Sequence, residues 1–110
     1  MYVSRLLFHT IPGKTAEVEK ELRKLQGMVA AAGGSHTRIL HTHFASLGAP
    51  DAVFEQDAAD LQTLETQIGK LTGSADFQAW SHRMSALLTQ SPKREVYILS
   101  LIHISEPTRQ

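Results

Sequence analysis

His41-Thr42-His43 is the most unusual grouping of chemistry-bearing residues in this chain. On a strand, side chains two residues apart leave the same face, so both imidazoles would project together. Metal sites use that spacing. A third ligand from His9, Glu55 or Asp57 would complete a set of imidazoles and a carboxylate suited to a divalent transition metal. An imidazole titrating near neutral pH could instead act as a general base, which makes His41 and His43 the candidate catalytic pair. The plainer alternative is that both are polar residues hydrogen-bonded within or between subunits.

A second candidate is an apolar pocket lined by Phe8, Leu40, Phe44, Phe54 and Trp80, with Thr42, Tyr97 or His36 supplying polar contacts. Ligand sites are mostly apolar with a few placed polar groups, although the same residues would serve equally as core. Arg5, among apolar neighbours, could bind an anionic substrate or pair with Glu55 or Glu95. No Ser-His-Asp order, phosphate loop or dinucleotide fingerprint occurs, and Gly33-Gly34 alone reads as a helix stop.

Composition narrows the classes further. The 110 residues suit one domain, with 42% hydrophobic and 20% charged residues and a formal net charge of zero. A neutral chain lacks the basic surface that nucleic acid or an anionic membrane requires. Cysteine is absent, which excludes disulfides, thiolate metal sites and a cysteine nucleophile. The amino terminus does not have the pattern of a signal segment, and no run is long enough to span a bilayer, so a cytoplasmic location is expected.

The elements that must position these residues follow from periodicity. Residues 2–10 alternate as a strand, and Ile11-Pro12-Gly13 breaks it. Val18, Leu22, Leu25 and Val29 then recur at helical intervals among charged residues. His36 to Ala45 and Ala52 to Asp57 read as a hairpin of two strands joined through Leu47-Gly48-Ala49-Pro50-Asp51. Asp60 can cap a helix carrying Leu61, Leu64, Ile68 and Leu71, which pauses at Thr72-Gly73. Ser74 can cap its continuation through Phe77, Trp80, Met84, Leu87 and Leu88 until Ser91-Pro92. Arg94 to Leu99 is the last strand. The order is βαββαβ: an α+β, ferredoxin-like fold with an antiparallel four-stranded sheet and both helical segments on one face. The other face is left open, and in so small a chain a second copy is the expected cover, giving a homodimer.

Three places resemble the dimeric α/β-barrel superfamily, and within it the antibiotic biosynthesis monooxygenase-like and NIPSNAP-like domains. These are the Pro12-Gly13-Lys14 turn into a Glu/Lys-rich helix, the Leu47 to Asp51 hairpin, and Ser74-Ala75-Asp76-Phe77-Gln78-Ala79-Trp80. The likeness spans nearly all of residues 1–98. It implies a dimeric barrel and a small-molecule-binding protein or monooxygenase-like enzyme that acts without flavin, haem or other cofactor on an apolar, aromatic compound. Fold alone does not select the activity. A non-catalytic dimeric module and a metal-binding protein using His41 and His43 stand as alternatives. The haem-degrading branch fits poorly: its members use an asparagine on the first strand with a tryptophan and a histidine later, whereas this chain has no asparagine. Helical spacing also turns His82 to solvent and Trp80 inward.

Residues 99–110 stand apart. Leu99 to Arg109 resembles, codon for codon, the translation of a transposon-based sequencing adapter, so this segment is expected to be a non-native tail following a domain of residues 1–98. His103 and Glu106 accordingly carry no functional weight.

Overall fold

The computed structural model describes residues 1–100; the remainder of the suspected adapter-derived tail lies outside the described residues. Its elements are β1 (Tyr2–Phe8), α1 (Thr15–Ala31), β2 (Ser35–His41), β3 (Ala52–Ala58), α2 (Leu61–Thr72), α3 (Ala75–Ser85) and β4 (Lys93–Ile98). The sheet is antiparallel with strand order β2-β3-β1-β4, which is the ferredoxin-like arrangement. The second helical segment is split into α2 and α3, as the pause at Thr72-Gly73 predicts.

Local chemistry accounts for the helix boundaries. The α1 stripe of Val18, Leu22, Leu25 and Val29 is fully buried while its charged residues stay outside. Gly33, at φ +100°, lets the chain leave α1, with Gly34 N donating to Val29 O at 2.9 Å. Asp60 caps α2 by accepting from Thr63 N at 2.7 Å, and this bond holds its carboxyl below the usual pKa. Ser74 caps α3 by accepting from Phe77 N at 3.1 Å.

Three boundaries differ from the periodicity reading. The apolar pattern runs on past α3, yet the helix ends at Ser85 because the following backbone pairs elsewhere. Ile11 N donates to Leu87 O and Thr89 N donates to His9 O, both at 2.9 Å. The same pairing ends β1 at Phe8, with Thr10 and Leu88 forming an isolated bridge. β2 stops at His41, where Thr42 turns to bond the start of β3, its N–H reaching Asp51 O at 3.1 Å and its hydroxyl reaching Pro50 O at 2.5 Å.

The core lies between the sheet and the helices. Phe8, Ala52 and Phe54 point from the sheet into α1 and α3, where Leu22, Leu25, Trp80 and Met84 meet them. Gly34 approaches this core closely: a Cβ there would fall 2.5 Å from Gln67 Nε2 and closer still to Val29 Cγ1. Gly34→Ala is therefore expected to lower the unfolding free energy by about 1–3 kcal/mol in urea titrations, because overpacking forces neighbours off their rotamers. An unchanged midpoint would show that Val29 and Gln67 yield freely.

Among the described residues, no helix covers the opposite sheet face. Leu7 and Val53 are half-buried there and Leu40 is exposed. Beside them Glu55, at 5% exposure, accepts from Arg5 Nε at 2.5 Å and from Arg38 Nε at 2.8 Å, while Arg38 also bonds Asp57 at 3.1 Å. These carboxylates, Asp57 foremost, raise the Arg38 pKa above its ordinary value.

Candidate functional site

Between the sheet and the helices the packing leaves a cavity of about 190 Å³. Strand alternation and register build its floor: Ser4, Leu6 and Phe8 share the inward face of β1, Phe54 and Gln56 that of β3, and Leu6 sits opposite Arg94 of β4. Its roof comes from Leu25 and Val29 of α1, Ile68 and Leu71 of α2, and Phe77 and Trp80 of α3.

The apolar walls are rigidly set. Trp80 is 4% exposed, its Nε1–H donates to Glu21 O at 2.8 Å, and its ring lies 5.5 Å from that of Phe77. A buried indole needs such a partner, and this one holds the ring in place. Besides Thr72 and Ser81, the polar lining has two hydrogen-bonded pairs. Gln56 and Gln67 are buried, Gln56 Nε2 donating to Gln67 Oε1 at 2.5 Å, while Gln67 Nε2 is buried without a partner among the described residues. Arg94 Nη1 donates to Ser4 Oγ at 2.5 Å, and Ser4 is 2% exposed. Arg94 sits on an edge strand and is exposed as a residue, yet burial of its guanidinium lowers its pKa from the ordinary value.

Of the residues expected to line a pocket, Phe8, Phe54 and Trp80 are brought together here. Leu40, Thr42, Phe44 and Tyr97 are not. Leu40 falls on the opposite sheet face, Thr42 is engaged with Pro50 in the loop, and Phe44 is 90% exposed because β2 ends three residues before it. Tyr97 also faces away: Arg5 lies 5.1 Å over its ring and its hydroxyl donates to Glu95 at 2.5 Å, which raises its pKa. His36, at φ +53°, occupies the irregularity between Ser35 and Thr37, away from the cavity. Arg5 pairs with Glu55. His82 is exposed, as helical spacing predicts.

The histidine pair does not share a strand face. His41 ends β2 and its Nδ1 contacts the Glu19 carboxylate of α1, whereas His43 lies in the following loop with its ring against Phe44. His9 Nε2 donates to Gly48 O at 3.1 Å, and its Nδ1 is buried without a partner among the described residues. Among the described residues, no three His, Cys, Asp or Glu side chains are grouped so that they could hold a metal ion. The proposed set of His41, His43 and His9 is thus dispersed because the strand ends too early to align it.

Sequence reasoning missed Ser4, Gln56, Gln67 and Arg94. Period-two spacing could have found Ser4 and Gln56, which share a strand face with Leu6 and Phe54, whereas Gln67 lies on α2 and needed the packing of that helix. Arg94 needed the β1–β4 register, which no local pattern carries.

An open-faced antiparallel sheet with helices on one side and a cavity between the layers defines an α+β, ferredoxin-like fold. It is the fold of the NIPSNAP and antibiotic biosynthesis monooxygenase-like proteins. An uncharacterized NIPSNAP domain protein from Burkholderia xenovorans superposes with a TM-score of 0.69 at 18% identity, covering 91% of this chain and 95% of that one. An antibiotic biosynthesis monooxygenase gives 0.64 at 13% identity, covering 91% and 99%. SnoaB, a cofactor-independent oxygenase from Streptomyces nogalater, gives 0.59 at 16% identity, covering 89% of each chain. No family model matches the sequence, and no curated protein matches it. Among the described residues, no helix is long and apolar enough to cross a membrane.

Proposed function

We propose that this protein binds a small, mainly apolar molecule in the cavity between sheet and helices, in the manner of a monooxygenase-like domain working as a homodimer. The observation that carries the reading is the cavity itself: aromatic walls set by Phe8, Phe54, Phe77 and Trp80, with a minority of polar groups in the lining. The likeness in fold to a cofactor-independent oxygenase supports the monooxygenase-like part. The cavity lining, however, includes no histidine and no carboxylate. A side chain able to remove a proton from a bound substrate is therefore lacking among the described lining residues, which favours a binding role, or chemistry on a substrate that arrives ionised. The uncovered sheet face, with its half-buried Leu7 and Val53, supports the homodimer.

Trp80 is the chain's one tryptophan and lines the cavity, so its emission responds to a ligand that enters there. Titration with toluene is expected to shift and saturate that emission with a stoichiometry of one ligand per chain. A flat response at toluene's solubility limit would overturn the binding reading.

A further inference from the structure

The polar end of the cavity carries a cation, Arg94, that makes no ion pair among the described residues. Arg5, Arg38 and Arg83 each pair with a carboxylate. Arg94 does not: no carboxylate among the described residues lies within ion-pair distance, and its guanidinium donates to the neutral hydroxyl of buried Ser4. Arg94 is exposed as a residue at the strand edge, and its guanidinium keeps its proton. Partial burial of the guanidinium lowers its pKa from the ordinary value.

Size limits what that anion can be. A dry cavity of about 150 Å³ accepts benzene, so the space here of about 190 Å³ takes one ring with a small substituent. Leu6, opposite Arg94 in the sheet, begins the apolar floor that continues to Phe8. A ligand would thus present its charged end to Arg94 and Ser4 at the strand edge and its ring to Trp80 inside. The planar fork of arginine matches a carboxylate in particular.

We propose that the cavity is a receptor for a small organic carboxylate with a one-ring apolar body, with Arg94 and Ser4 holding the carboxylate and Trp80 and Phe8 bracketing the ring. This rests on the reading that the cavity takes a ligand, and it names the ligand's chemical class.

The test titrates the wild-type chain with benzoate and with its neutral near-isostere benzamide, following Trp80 emission, and repeats both with Arg94→Gln. Benzoate is expected to bind at least about tenfold more tightly than benzamide, as a charge-assisted hydrogen bond requires. Arg94→Gln is expected to erase that preference, weakening benzoate at least about tenfold more than benzamide. Benzamide or toluene binding with no preference for benzoate would overturn the carboxylate inference and spare the cavity reading. No response to any of the three would overturn both. A preference for benzoate that survives Arg94→Gln would overturn the role of Arg94, and the wild-type ratio decides the ligand class even if that variant folds poorly.

Discussion

Trp80→Ala is expected to lower the unfolding free energy by about 3–5 kcal/mol, measured by urea denaturation with far-UV circular dichroism. The ring is 4% exposed, packs against Phe77, and closes the core between α1 and α3. Truncation removes that apolar contact and enlarges an existing cavity that the surroundings cannot collapse around. It also leaves Glu21 O without the indole N–H it accepts at 2.8 Å. Against a total stability of about 5–15 kcal/mol for an ordinary domain, the loss is a large fraction. Trp80→Phe retains most of the ring and is expected to cost clearly less. A loss below about 1.5 kcal/mol for the alanine variant would mean that the indole is loosely held, and the cavity would then have no fixed wall.

Glu55→Ala is expected to cost about 2–3 kcal/mol, the second largest effect. Its carboxylate is 5% exposed and receives two charge-assisted hydrogen bonds, from Arg5 and Arg38, so removal leaves two cations facing each other across β1, β3 and β2. The cost stays below that of a fully buried pair because the side chains of Arg5 and Arg38 are 43% and 44% exposed and can turn to water. If the homodimer closes over this face, the same variant is also expected to dissociate toward monomer in sedimentation velocity experiments. Unchanged stability would remove this network from the forces that hold the sheet together.

The frame of the molecule was legible because its signals are local. The stripe from Val18 to Val29 dictates α1, Asp60 and Ser74 mark their helices by cap chemistry, and strand alternation separates Phe8 from Leu7. Errors arose where long-range backbone pairing competes with a local pattern. Leu87 and Leu88 continue a helical period, yet the backbone of Leu87 and Thr89 satisfies residues nine to eleven instead. His41-Thr42-His43 looks like a strand motif only if β2 continues, and the bonds from Thr42 to Pro50 and Asp51 end it. The aromatic half of the cavity could be anticipated from inward-facing Phe8, Phe54 and Trp80. Its cationic end could not, because Arg94 meets Leu6 and Ser4 only through a pairing across some ninety residues of chain.

The most direct test locates a bound ring. With methyl-labelled protein and saturating toluene, intermolecular nuclear Overhauser effects are predicted from the ring protons to the methyl groups of Leu25, Val29 and Leu71, which line the cavity. Contacts confined to Leu7, Leu40 and Val53 on the opposite sheet face would contradict the account.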